Sequence, residues 1–241
     1  MKEGLSIIIP VRNEKDSLSL MIRLMLSSLN FQHEILVIYD SEDDDSCGVT
    51  KDLSEKYDNV RGILNTTQQG VKFAISKGIE ESKYNLVLVT AIDEIFPILE
   101  INEMRKLILE KNYDLVSGTR YRNGGKRYGG SFVGGIISRL ANFLFKFLTN
   151  FPLSDQTTGI KMFKKKLWKD VGLNNNSVGW SFALELSIKS YLIDKKITEH
   201  PIKSVDRLFG GNSTFRLSKW LKDYSKWFFW GLYKIWMKNF K

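Results

Sequence analysis

The chain reads as an α/β protein built on a mostly parallel sheet flanked by helices, and three observations carry that reading. Short β-branched runs recur at LSIII (5–9), EILVIY (34–39), VRGIL (60–64), NLVLVT (85–90) and YDLVSG (113–118), each bounded by turn residues. The segments between them have helical length and spacing, so successive strands are joined by crossovers, the connection that parallel pairing requires. The 241 residues, 43% hydrophobic and 26% charged, suffice to bury a full core.

In chain order, the first strand ends at Pro10, and the apolar run before it is too short for a signal peptide. In open sheets of this kind ligands sit beyond the carboxyl ends of the strands. Those ends carry Pro10-Val11-Arg12-Asn13-Glu14, Tyr39-Asp40-Ser41, Asp93 and Gly118-Thr119-Arg120, so four polar clusters converge on one rim. Asp40 is placed to accept hydrogen bonds from a base or a ribose. The run 42-EDDD-45 lacks the spacing and glycine of a calcium loop and reads as a solvated acidic turn at a helix start. Gly70-Val71-Lys72 opens a helix containing Ala74 and Gly78, a hint that a helix N-terminus approaches a ligand. In 86-LVLVTAIDEIF-96 the carboxylate of Asp93 follows a buried strand, with Ala91 where a partner acid could stand.

The second half changes character at 123-NGGKRYGGSFVGG-135, too polar and glycine-rich for a core. A helix follows in 136–151, with Ile137, Leu140, Leu144, Phe147 and Phe151 at three- and four-residue spacing. That stripe packs on the sheet or meets a membrane or lipid tail. In the last helix, roughly 216–240, Leu217, Leu221, Tyr224, Phe228, Leu232 and Ile235 form one stripe opposite Lys219, Lys222, Lys226, Lys234, Lys238 and Lys241. Trp227, Trp230, Tyr233 and Met237 fall among the lysines, a pattern that suits a lipid headgroup interface or a homodimer contact. Residues 1–119 carry 13 Lys and Arg against 20 Asp and Glu, whereas residues 120–241 carry 23 against 7. The basic half suits an anionic partner. No window approaches 18 uninterrupted apolar residues, and with Cys47 the sole cysteine, the expectation is a soluble or surface-associated protein on the cytoplasmic side, peripheral to the inner face of the membrane.

The residue inventory excludes several chemistries. His33 and His200 have no evident Ser or Cys partner, so a hydrolase triad is not expected. Cys and His are too few for a zinc site. Phosphate-loop and dinucleotide glycine fingerprints are missing, as is any recognition element for nucleic acid. Asp93, Asp155, Glu185 and Asp206 with Arg120, Arg139 and Arg207 remain, an inventory for handling charged phosphates.

The ordered fragments IIPVRNE, VIYDSEDDDS, GVKFAISKGI, VTAID, VSGTRYRNGG, IISRLAN, DQTTGIKMF, FALELSIKS and DRLFGGNSTFRL resemble family 2 glycosyltransferases of the dolichyl-phosphate mannose synthase branch, over residues 5 to 220. The resemblance implies a glycosyltransferase A-type fold: a nucleotide-sugar-binding part at 1–119, an acceptor-binding part of the same domain at 120–215, and a C-terminal amphipathic helix at 216–241. It implies that Pro10, Arg12, Glu14 and Asp40 line the nucleotide pocket and that Asp93 is the metal-side carboxylate, for Mg2+ or Mn2+. Arg120 and Arg139 would hold an acceptor phosphate, Arg207 would reach the donor diphosphate, and Asp155 and Glu185 would lie near the sugar or acceptor. Structural roles for the last two are a turn cap for Asp155 and a helical pair with Lys189 for Glu185. The sequence departs from the family pattern at Ala91, at Ile95, at Tyr39 before Asp40 and at Thr214, which bears on metal dependence and donor identity. The implied reaction is hexosyl transfer from a nucleotide sugar to a polyprenyl phosphate or a glycan, with inversion. A phosphate acceptor needs no general base; a hydroxyl acceptor would need one, with Glu185 or Asp155 the candidates. The alternative is a catalytically silent nucleotide-sugar binder or membrane-associated partner protein of the same fold.

Overall fold

All five expected strands form. The computed structural model describes residues 4–92, 96–174, 178–205 and 217–239. In the first half, β1 (Leu5–Pro10), β2 (His33–Tyr39), β3 (Val60–Leu64), β4 (Leu86–Val89) and β5 (Leu115–Thr119) alternate with α1 (Lys15–Ser28), α2 (Ser46–Lys56), α3 (Val71–Glu81) and α4 (Ile101–Leu109), the last preceded by a 3-10 turn at Phe96–Glu100. The second half adds β6 (Lys126–Tyr128), α5 (Phe132–Thr149), β7 (Lys161–Lys164), α6 (Lys165–Val171), α7 (Phe182–Leu192), β8 (Ile197–Pro201), β9 (Lys203–Val205) and α8 (Leu217–Asn239).

The main sheet has the order β3-β2-β1-β4-β7-β5-β8, and β6 pairs with β9 in a small second ladder. Every strand of the main sheet is parallel to its fellows except β7, which runs antiparallel between β4 and β5. Both faces are buried, as parallel crossovers require. Leu5, Ile7 and Ile9 face α1 and α4 through Leu18, Met21, Ile22, Ile101 and Met104. Ile8, Leu36 and Val87 face the other layer, where Ala74, Ile75, Phe145, Leu186, Trp227 and Ile235 pack from α3, α5, α7 and α8.

Two helices differ from expectation. α5 begins at Phe132, ahead of residue 136, because Ser131 caps it by accepting the Gly134 N–H at 3.1 Å. Of its expected stripe, Ile137, Leu140, Leu144 and Phe147 do not pack on the sheet but face outward, Phe147 at 75% exposure, while Phe151, just past the helix, is buried in the core. The inward line is Asn142, Phe145 and Thr149, because Asn142 is drawn to polar partners in the loop beyond the helix: it accepts the Gln156 N–H at 2.8 Å and donates to Thr157 Oγ1 at 3.0 Å. At 18 residues and a mean hydropathy of 1.3, α5 is also long and apolar enough to cross a membrane by composition, which uninterrupted runs alone do not reveal. In α8, Trp227 is buried and Trp230 half-buried against the core rather than exposed, Trp227 edge-on to Trp230 with the ammonium groups of Lys189 of α7 and Lys226 over its ring. Tyr233 and Met237 are exposed as expected, joined by Phe229 and Trp236, while Leu221 of the inner stripe is exposed.

Gly78 shows how closely α3 lies on the sheet: a Cβ there would sit 2.7 Å from Ile8 Cγ2 and 3.1 Å from Ile38 Cδ1. Gly78→Val is expected to cost about 1–3 kcal/mol through overpacking, read as a lower urea midpoint with an unchanged slope.

Candidate functional site

Because β1, β2, β4 and β5 run the same way, their carboxyl ends open on one edge of the sheet, and the three described polar clusters, at Pro10–Glu14, Tyr39–Ser41 and Gly118–Arg120, share that edge. The loop after β1 is fastened by the acidic turn ahead of α2. Asp44 accepts the Asn13 N–H at 3.1 and 3.2 Å and the Ser46 N–H at 2.9 Å, while Ser46 Oγ accepts the Glu14 N–H at 3.0 Å. The helix-start reading of this turn holds, but Asp44 is buried rather than solvated, because its charge satisfies backbone donors of the neighbouring loop. Arg12 is exposed on that loop, with Pro10 and Glu14 half-buried. Asp40 accepts Asn65 Nδ2 and the Gly70 N–H, both at 2.7 Å, which ties the end of β2 to the start of α3. Among the described residues these are the hydrogen bonds its two oxygens accept, which leaves each a second lone pair for a ligand. Asp93 and Arg207 lie outside the described residues, as do Ile95, Asp206 and Thr214. Among the described residues no group of three or more His, Cys, Asp or Glu is placed to hold a metal ion.

Past β5 the dominant feature is an ion pair. Asp155 is wholly buried; its Oδ2 accepts Arg120 Nε at 2.7 Å and the Arg120 N–H at 3.1 Å, and its Oδ1 accepts Nη2 at 2.9 Å and Thr157 Oγ1 at 3.0 Å. Burial pushes this carboxyl up, but the guanidinium charge and the hydrogen bonds outweigh it and hold it below the usual range. Its contribution to stability is therefore present above the ordinary carboxylate pKa and lost as pH falls through the depressed one. Around the pair, Ser138 receives the Tyr121 hydroxyl at 3.0 Å and bonds Thr157 Oγ1 at 3.1 Å.

A cavity of about 880 Å³ opens beside this pair. Arg127, Ser131, Gly134 and Ser138 line it around the first turns of α5; Leu140, Leu144 and Phe145, with Phe228 and Phe229 of α8, line it further along. Arg120 lines it too; Arg139 does not, being exposed on α5 one helical step from Ser138. In the motif IISR it is thus the serine that faces the cavity. Arg127 was not singled out from the sequence, although the glycines around it were the signal: a Cβ on Gly135 would sit 2.8 Å from Arg127 Nη1.

Glu185 is wholly buried and forms the helical pair with Lys189 at 2.8 Å, while also accepting the Asn174 N–H at 2.6 Å. Lys72 reaches the Asn174 carbonyl at 2.6 Å, and burial lowers its pKa against the opposing pull of Glu185. Both histidines are held by neighbours, His33 Nδ1 at 2.7 Å from the Phe31 carbonyl and His200 Nε2 at 2.9 Å from Glu100 Oε2. Lys161 of β7, hidden in the run IKMF, is the least expected group: fully buried, it donates to Ser117 Oγ at 2.9 Å, and burial lowers its pKa to about 7. An unfolded chain binds a proton there that the folded one releases above that value, so this group makes stability rise with pH from about 7 towards the ordinary lysine range.

Comparison with known proteins agrees with this architecture. The profile of Glycosyl transferase family 2 matches residues 6–172. The chain therefore belongs to glycosyl transferase family 2. It is 27% identical over 199 residues to a dolichol-phosphate mannosyltransferase of Pyrococcus furiosus, covering 81% of this chain and 55% of that protein. It is 26% identical over 208 residues to a dolichyl-phosphate beta-glucosyltransferase of Trichomonas vaginalis, covering 80% and 63%. A polyprenol monophosphomannose synthase of Mycolicibacterium smegmatis is 23% identical over 209 residues, covering 85% and 78%. This chain thus spans little more than half the length of the first two. In fold it resembles glucosyl-3-phosphoglycerate synthase from Mycobacterium tuberculosis, solved with Mn2+, uridine diphosphate and phosphoglyceric acid, at a TM-score of 0.72 and 15% identity, covering 95% of this chain and 78% of that one.

Replacing either partner of the buried pair strands the other. Arg120→Ala and Asp155→Ala are each expected to lose about 3–5 kcal/mol of stability, whereas Arg139→Ala, at an exposed position, stays within about 0.5 kcal/mol; thermal unfolding distinguishes them.

Proposed function

We propose that this protein transfers a sugar from a nucleotide-sugar donor to a polyprenyl phosphate, with inversion. The observation that carries the reading is the cavity, cationic around the start of α5 and apolar along its length, a shape suited to a phosphate joined to a hydrocarbon chain. Arg120, Arg127 and the N-terminus of α5 supply positive charge for the phosphate. An ionised phosphate oxygen attacks the anomeric carbon directly, and the nucleoside diphosphate leaves. A hydroxyl acceptor fits less well, since the two candidate bases are already engaged: Asp155 by Arg120 and Glu185 by Lys189. The three curated relatives are named for dolichol- or polyprenol-phosphate chemistry, in support of the same acceptor class.

On the donor side, Asp40 and the loop bearing Arg12 and Glu14 receive the nucleoside, and Arg207 the diphosphate. A divalent ion, as in the solved relatives with Mn2+ or Mg2+, would take Asp93 with the donor phosphates and waters, since magnesium needs only one or two carboxylates. When bound, that ion neutralises charge on the departing diphosphate. The donor and acceptor parts divide near residue 119, the acceptor part being the more basic.

The exposed apolar residues of α5 and α8, among them Phe132 at 81% and Phe229 at 67%, fit a helix pair lying in the plane of a membrane surface. α5 packs against α8 and buries Phe145 in the fold, which favours lying on the bilayer over crossing it.

Incubation with nucleotide sugars and a polyprenyl phosphate is expected to yield a glycosylated lipid phosphate, and the matching polyprenol none. Arg127→Ala should lower transfer by about one to two orders of magnitude, the scale of a charge-assisted contact, with donor binding unchanged. Equal transfer to the polyprenol would overturn the reading. Phe143→Asp with Phe147→Asp should release the protein from anionic vesicles in flotation; unchanged flotation would remove that face from the membrane contact, and a dimer lost on the same substitutions would assign it to a second copy.

A further inference from the structure

Lys161 serves nothing in the mechanism above and does not line the cavity, yet it lies within electrostatic reach of the Arg120–Asp155 pair. It begins the antiparallel strand β7, paired with Val89 near the carboxyl end of β4 and with Ser117 on β5, on the sheet face shared with α5 and α8. Its ammonium is wholly buried, and among the described residues its hydrogen-bond partner is Ser117 Oγ, leaving two of three donors without a described acceptor. Ser117 in turn lies 3.4 Å from the Asp155 carbonyl oxygen. The charged groups around it are Asp155 from the loop ahead of β7, Arg120 after β5 and Glu199 of β8, the last holding Ser154 through its N–H at 2.6 Å and hydroxyl at 2.9 Å. From α8, Tyr224 faces Arg120 and Asp155 and stays a neutral phenol, burial raising its pKa. No residue of β4 at this level is charged, Val89 being its counterpart.

We infer that Lys161 is a positioning residue for the acceptor: with Arg120 it balances Asp155 and Glu199, so that Arg120 keeps its positive charge effective toward an incoming phosphate. The inference rests on the phosphate-acceptor reading. With Lys161 protonated the four groups sum to zero; without its proton they carry one negative charge, facing an anion. Burial brings that change to about pH 7, where Lys161 otherwise would hold its proton throughout. Between pH 6 and 7 a phosphate monoester gains negative charge, which tightens binding to a cationic site, so its own titration runs against the expected loss and does not mimic it. At a separation of about 10 Å and an effective dielectric of about 20, a unit change of charge shifts the affinity for an anion by about tenfold.

The test is calorimetric binding of farnesyl phosphate in detergent to the full chain from pH 6 to 9. The expected result is a loss of about tenfold in affinity across the range, while binding of the nucleoside diphosphate stays level. Lys161→Met should bind weakly and without that pH dependence. Ser117→Ala, a milder change that removes the ammonium's acceptor, should move the inflection to lower pH and keeps the idea testable if the methionine variant fails to fold. Level binding by the unaltered protein would overturn the role of Lys161 while leaving the acceptor reading intact. No binding of farnesyl phosphate at any pH would overturn both.

Discussion

The wall of the cavity beside α5 depends on one fully buried carboxylate. Asp155 takes the two-pronged grip of Arg120 and the hydroxyl of Thr157, and through Thr157 the contact reaches Ser138 and Asn142 on α5. A charge removed from water at this depth is tolerable only when every lone pair is met, so the loop, the end of β5 and the helix are obliged to adopt one arrangement. The apolar surface around it leaves each element free to slide; the ion pair does not. The guanidinium held there is consequently pre-aligned at the cavity wall, with little side-chain entropy left to lose on meeting an anion.

The rim at the ends of β1 and β2 is held differently, by backbone donors and short acidic side chains. Asp44 and Ser46 bind the loop after β1, and Asp40 binds the loop before α3. Acidic residues thus shape the rim at the ends of β1 and β2 while cationic ones line the cavity beside α5, and the charge asymmetry between the two halves of the sequence follows that division.

How much of this could be read from the sequence follows from the range of the interactions. The parallel strands were legible because alternation of β-branched runs with helical segments is a local signal, and the polar clusters followed at once from the direction of the strands. The pair of Glu185 with Lys189 was legible for the same reason, being one helical turn apart. What stayed hidden is long-range. Nothing near Asp155 announces that Arg120, 35 positions earlier, will close on it, although both residues stood in the inventory. The exposure of Arg139 rather than Ser138 turns on a rotation of about 100° about the axis of α5, fixed by what Asn142 finds beyond the helix. Nothing local marks Lys161 as buried; only the insertion of β7 into the middle of the sheet makes it a buried cation.

That insertion has a bearing on how the chain acquires its shape. β4 and β5 are close in sequence but never touch in the sheet, because the slot between them is reserved for residues 161–164. A nascent chain that has already released its fifth strand must keep two unsatisfied strand margins apart until the glycine-rich segment and α5 have followed. The sheet closes from its centre only then, and the slow, non-local step of assembly is the arrival of this one reversed strand.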